Sequence, residues 1–156
     1  MPGLPSAGRE EAPPAPGAAG GRGRAIAHVG IAVRSIEEAR HFWEALGLRV
    51  EHVEEVPQEG VRVAMIPCGA SRIELLEPTR EDSPIAGFLA KRGPGIHHLC
   101  LHSDDVAADD RRLREQGYTL LREAPTRGAG DSAVQFVHPK SAGGVLVEIA
   151  EEGATE

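Results

Sequence analysis

Shifted by 70 residues, the sequence lies on itself. Residues 28–34 (HVGIAVR) fall on 98–104 (HLCLHSD) without a gap, Ser35 on Asp105, Ile36 on Val106, Trp43 on Leu113 and Gly47 on Gly117. A chain written twice folds as one supersecondary unit used twice, and neither copy buries its apolar face alone. At 156 residues there is room for one shared core and not for two independent ones.

The unit itself reads strand, helix, strand, strand, strand. Residues 26–33 (IAHVGIAV) have strand character, and Ser35-Ile-Glu-Glu38 is a capping box that opens a helix. Ile36, Ala39, Trp43 and Leu46 make that helix's apolar stripe, and Gly47 suits its C′ position. β-like runs follow at Arg49–Val56, Val61–Pro67 and Ser71–Glu77, and again in the second copy at Tyr118–Arg122, Ala133–His138 and Gly144–Ala150. Residues 83–92 (SPIAGFLAKR) read as a linking helix with Pro84 at its first position. The expected fold class is therefore α+β, two tandem βαβββ modules at about 25–78 and 95–151, in a single domain spanning 25–151.

Residues 1–24 hold five Pro, six Gly and five Ala, a composition that cannot bury a core and predicts a disordered tail. The tail lacks the apolar region of a secretory signal, and Glu10, Glu11 and the prolines do not suit a transit peptide. No run approaches the roughly 18–20 apolar residues that span a bilayer. Cys68 and Cys100 form no CxxC, which fits a reducing compartment, so a cytoplasmic location is expected. A net charge of −7 and only five aromatic residues speak against nucleic-acid or membrane partners.

Alternate side chains of a strand face opposite sides of a sheet. In the first strand Val29, Ile31 and Val33 share the face expected to meet the helix, leaving His28 on the other; Ile73 and Leu75 likewise leave Glu74. The second copy repeats this with Leu99 and Leu101 against His98, then Val145, Val147 and Ile149 against Glu148. Two sheets closing face to face would bring His28, Glu74, His98 and Glu148 together. Inward carboxylates are costly unless paired with a cation. Two imidazoles and two carboxylates neutralise and suit one divalent ion such as Co, Ni, Mn, Zn or Fe. Any one of these residues alone reads equally well as a satisfied core or edge group; the recurrence in both copies favours a metal. His97 has the other parity and is expected on the helix side. His41, His52, His102 and His138 have no equivalent partners. Gly143-Gly144 reads as a turn before the last strand, with no phosphate-loop motif around it. Arg72, Lys91, Arg92, Arg127 and Lys140 are cations an anionic substrate could meet.

A duplicated βαβββ unit with inward His and Glu resembles the vicinal oxygen chelate superfamily, the glyoxalase-like fold with a metal in its central β-cavity. Within it, HVGIAV, VPQEGVRVAM, IELLEPTREDSPIAGFLAKRGPGIHHL and HPKSAGGVLVEIA look like the methylmalonyl-CoA epimerase family, over about residues 26–150. The resemblance implies one divalent ion, cobalt foremost, on His28, Glu74, His98 and Glu148, an acyl-CoA substrate and a homodimer. It implies inversion of an α-carbon through an enolate, with Glu148 as the proton-transfer group on one face. Some epimerases carry a second glutamate where this chain has Val63, so the opposite role falls to Glu59 or an ordered water. A glyoxalase-type isomerase of glutathione hemithioacetals and a non-catalytic binding module share the fold and stay open as alternatives. Extradiol dioxygenases, with two His and one carboxylate on iron, fit less well.

Overall fold

The computed structural model describes residues 24–151. Expectations for residues 1–24 therefore lie, apart from Arg24, outside the described residues. Strand β1 (Ile26–Ala32) leads into helix α1 (Ile36–Ala45), then β2 (His52–Val56), β3 (Val61–Cys68) and β4 (Ser71–Pro78). Helix α2 (Pro84–Arg92) links to β5 (Gly95–His102), α3 (Val106–Glu115), β6 (Thr126–Arg127), β7 (Ala133–Val137) and β8 (Val147–Ala150).

The two copies begin their helices alike. Ser35 accepts from Glu38 N at 3.2 Å, and Asp105 accepts from Ala108 N at 3.0 Å. Each helix also presents its first free N–H to a carboxylate arriving from the end of its own module: Ile36 N donates to Glu77 at 2.8 Å, and Val106 N to Glu151 at 2.7 Å. A carboxylate there satisfies a donor the helix leaves open and sits at the positive end of its dipole. Gly47 and Gly117 close the helices at φ 88° and 87°, a conformation that disfavours any residue with a Cβ.

The eight strands form one mixed sheet, in the order β2-β3-β4-β1-β5-β8-β7-β6, curled into a half-barrel. Within each module the outer strands are antiparallel, whereas β1 runs parallel to β4 and β5 parallel to β8. The modules meet at β1 and β5, which pair antiparallel with Gly30 opposite His98 and His28 opposite Cys100. This corrects the expectation of two sheets packed face to face. Each module leaves its first strand at an edge with unpaired N–H and C=O groups, and pairing the two edges satisfies both rows.

Facing follows the predicted parity through most of the sheet. Ile31, Val33, Ile66, Ile73 and Leu75 pack with Ile36, Ala39 and Trp43 of α1. On the other face Ala32, Val63 and Leu76 pack with Ile85 and Leu89 of α2. Three strand expectations are corrected, the first being that β2 begins at His52 and not at Arg49. Tyr118–Arg122 forms only an isolated bridge at Leu120 opposite Val137. The carbonyl of Arg122 is taken by Arg114 and Gln135 side chains, and Pro125 has no N–H to give. The last strand begins at Val147 and not at Gly144, because Gly143 and Gly144 turn the chain at φ 69° and 94°.

Under α3 the second copy departs from the first. Asp109, 6% exposed, receives both nitrogens of Arg24 at 2.6 and 2.7 Å and the Ser103 hydroxyl at 2.5 Å. Burial pushes its carboxyl up, but the Arg24 and Ser103 hydrogen bonds prevail and hold it below the usual carboxylate range. A carboxylate lowered by folding stabilises fully above its unfolded value, and that contribution fades as pH falls through the folded value. Asp109→Asn should lower stability by about 1–3 kcal/mol at neutral pH. In urea titrations the gap between variant and parent should narrow below about pH 4.

Candidate metal centre

The seam between β1 and β5 is where the site is built. His28 and His98 project to the same side of it because the register sets Gly30 across from His98. Gly30 makes this possible: a Cβ there would stand 2.2 Å from His98 Cε1 and 2.6 Å from its Nδ1. The imidazole occupies the room that any other residue at position 30 would fill.

Three donor atoms converge there. His28 Nε2 lies 3.0 Å from His98 Nε2, Glu148 Oε2 lies 3.0 Å from His98 Nε2, and Glu148 Oε2 lies 3.5 Å from His28 Nε2. Bonds of about 2.0–2.2 Å to one ion place neighbouring donors roughly 3 to 3.5 Å apart, the spacing these atoms already have. The donor set therefore fits a divalent ion, and among the described residues it is the group whose ligand atoms approach closely enough.

Glu74, the fourth predicted ligand, is buried beside this triangle but stands on the far nitrogen of His28. Its Oε2 lies 2.7 Å from His28 Nδ1 and accepts from Arg72 Nη2 at 3.2 Å. A carboxylate on the distal nitrogen fixes the ring's tautomer and points Nε2 at the centre. His98 has a counterpart: its Nδ1 lies 2.9 Å from His97 Nδ1. With His98 Nε2 left as an acceptor, its Nδ1–H donates and His97 Nδ1 accepts, a tautomer assigned from the network.

That role for His97 corrects its predicted place on the helix side. Between Gly30 opposite His98 and Ile31 opposite Ile96 the pairing slips by one residue. The extra residue is His97, and such a bulge breaks the alternation of facing on which the parity argument rests. His97 then lines the cavity and stands edge-on to Phe88 of α2, ring centroids 5.1 Å apart.

The electrostatics follow from burial opposed by hydrogen bonding. Burial depresses His28, yet the Cys100 thiol and the Glu148 and Glu74 carboxylates lift it to about 12. Burial raises Glu148, but His28 and His98 bring it down to about 2. His97 is lowered to about 4 by burial and by the neighbouring His98, so it is neutral at pH 7. Burial pushes the Cys100 thiol up to about 11, despite its hydrogen bond with His28.

The cavity around these groups is walled by Val56, Val63, Leu76, Ile85, Val134 and Phe136. Glu59 also lines it, from a single 3-10 turn after β2, and receives Arg122 Nη2 at 2.5 Å. Arg122 itself lies over the Phe136 ring at 4.9 Å. Sequence periodicity assigned Arg122 no site role: it ended the predicted strand at 118–122, whereas in the structure it belongs to no strand or helix. His41, His52, His102 and His138 lie outside the cavity lining.

The family model of the Glyoxalase/Bleomycin resistance protein/Dioxygenase superfamily matches residues 27–136. An ethylmalonyl-CoA/methylmalonyl-CoA epimerase of Cereibacter sphaeroides is 42% identical over 127 residues, covering 80% of this chain and 95% of that protein. A crystal structure of methylmalonyl-CoA epimerase from Mycobacterium tuberculosis superposes with TM-score 0.78 at 43% identity, covering 82% of this chain and 87% of the other. A Streptomyces coelicolor methylmalonyl-CoA epimerase variant in complex with 2-nitronate-propionyl-CoA gives TM-score 0.80 at 40% identity, over 85% and 96% of the two chains.

Gly30→Ala should force the His98 ring out of line and strip the protein of bound metal, read by elemental analysis, while circular dichroism stays native. His97→Ala should weaken metal affinity by about 10–100-fold, the usual effect of losing a group that holds a ligand. An unchanged affinity would remove His97 from the centre.

Proposed function

We propose a function from one premise: the chain belongs to the Glyoxalase/Bleomycin resistance protein/Dioxygenase superfamily. The function its site supports best is epimerisation of methylmalonyl-CoA at the α-carbon. The observation that carries this is the buried triangle of His28, His98 and Glu148, held in a chain 40–43% identical to named acyl-CoA epimerases over most of its length.

A divalent ion on these residues, cobalt foremost on the family resemblance and Ni, Mn, Zn or Fe by compatible chemistry, would supply Lewis acidity to the substrate's oxygens. The chain's own groups do the rest. Glu74 and His97 hold the two imidazoles in orientation; we keep Glu74 in the proposed metal set as its fourth ligand and second carboxylate. The apolar walls exclude water, which strengthens every charge interaction inside. Glu148, ionised at neutral pH because His28 and His98 hold it at about 2, is the group we assign to the α-proton on one face. Its low value makes it a weak base, so the carbanion must be stabilised strongly for the transfer to succeed. For the opposite face we assign Glu59, which reaches the same cavity although Val63 leaves an apolar wall nearby.

The reading includes a homodimer, tested by light scattering, and a cytoplasmic location, supported by two free cysteines. No helix among the described residues is long and apolar enough to cross a membrane.

In heavy water, methylmalonyl-CoA should gain deuterium at the α-carbon as it epimerises. Glu148→Gln should reduce kcat by about 10²–10⁴-fold or more, because it removes a proton-transfer group and weakens metal binding. Glu59→Gln should reduce kcat with metal content unchanged; full activity would assign that face to water. Glu74→Gln should lose less metal than His98→Ala, since Gln keeps an oxygen for His28. The epimerase reading fails if metal-loaded protein exchanges no α-proton yet isomerises a glutathione hemithioacetal.

A further inference from the structure

Glu59 and Arg122 come from different copies of the repeat and meet at the cavity wall. Glu59 ends the Pro57–Glu59 turn, whose backbone is already held. Arg80 donates to the Pro57 carbonyl, Gly60 N donates to it at 3.1 Å, and Thr79 N donates to the Gly60 carbonyl at 2.8 Å. Those contacts fix the turn and leave the Glu59 side chain its torsional freedom. Arg122 removes it. Its Nη2 donates to Glu59 Oε1 at 2.5 Å, while Oε2 accepts no hydrogen bond from the described residues.

Arg122 is itself fixed through backbone and side chain alike. Its carbonyl accepts from Gln135 Nε2 at 3.0 Å and from Arg114 Nη2 at 2.5 Å. Gln135 is fully buried and donates to Asp110 of α3 at 2.7 Å. The guanidinium donates to Thr126 and lies 4.9 Å over Phe136, whose ring centroid is 6.0 Å from that of His98. Phe136 thus packs against both Arg122 and a histidine of the centre. An ion pair whose side chains are 24% and 32% exposed adds little to stability. What a buried network ending on such a pair delivers is position.

We propose that Arg122 is the positioning residue of Glu59, holding Oε1 so that Oε2 is presented to the α-carbon on the face opposite Glu148. The inference rests on the epimerase reading above, with Glu59 as the second proton-transfer group. In one direction Glu148 takes the α-proton, the electron pair stays on the substrate as the enolate, and a protonated Glu59 gives its proton to the other face. In the reverse direction the two glutamates exchange roles. Transfer needs the heavy atoms within about 2.6–3.2 Å, and most rotamers of an untethered glutamate miss that range.

The test separates exchange from inversion. Each epimer of methylmalonyl-CoA is incubated with metal-loaded protein in heavy water; proton NMR follows loss of the α-hydrogen, and circular dichroism follows inversion. A deuteron returned to the face that lost the proton exchanges without inverting, so a displaced Glu59 slows inversion more than exchange at the Glu148 face. Arg122→Gln should lower the ratio of inversion to exchange about tenfold or more for one epimer, with metal content unchanged. The contacts of its backbone carbonyl survive that substitution. Arg122→Lys should recover most of the ratio. Adding Arg122→Gln to Glu59→Gln should cost nothing further, because a residue acting through Glu59 then has nothing to position. Glu54→Ala removes another contact between the copies, to Gly130 N at 3.1 Å, and should keep the parent ratio. A parent ratio in Arg122→Gln, additive losses in the double variant, or an equal shift in Glu54→Ala overturns the inference alone. Wild-type protein that neither exchanges nor inverts overturns the epimerase reading, and the inference with it.

Discussion

Everything at the centre of this molecule depends on the antiparallel pairing of β1 with β5. Those are the first strands of the two copies, and each would be an edge with open hydrogen-bonding groups if its module stood alone. Joining them places one histidine from each copy on either side of a single seam. The join also demands Gly30, because the His98 ring stands where a side chain would be. A site made at a seam belongs to neither copy, so duplication and chemistry are linked in this chain.

The second constraint is electrostatic. Burying two imidazoles and two carboxylates is tolerable only if each finds a partner. Here the compensation is layered. His28 and His98 face Glu148 with their inner nitrogens, and their outer nitrogens rest on Glu74 and His97. The two outer partners differ chemically, one an anion and one a neutral imidazole lowered to about 4. The two histidines kept the symmetry of the repeat, whereas the glutamates diverged: Glu148 faces the inner nitrogens, Glu74 stands behind His28, and His97 takes the place behind His98.

Divergence is also visible in packing. The first module fills the space between helix and sheet with Ile36, Ala39 and Trp43. The second fills much of the corresponding space with ionic groups, Asp109 on Arg24 and Ser103, and Asp110 on Arg114 and Gln135. The same polar network claims the Arg122 carbonyl and leaves the predicted strand at 118–122 as a bridge. Arg122 is then free of a regular strand, and its side chain reaches Glu59 of the other copy at the cavity wall.

The sequence by itself determined what is local. The 70-residue repeat, the caps at Ser35 and Asp105, and the period of two placed His28, Glu74, His98 and Glu148 on the inner face, because a strand's pleat follows from its own backbone. The tertiary structure decided which of them converge. That His28, His98 and Glu148 form the triangle while Glu74 stands behind His28 depends on the register of strands far apart in the chain. The bulge that turns His97 inward leaves no mark in the composition around it, since one extra residue is defined only by the strand it faces. Side-chain facing is written in the pleat of one segment. Convergence is written in hydrogen bonds between segments, and those exist only once the two copies have met.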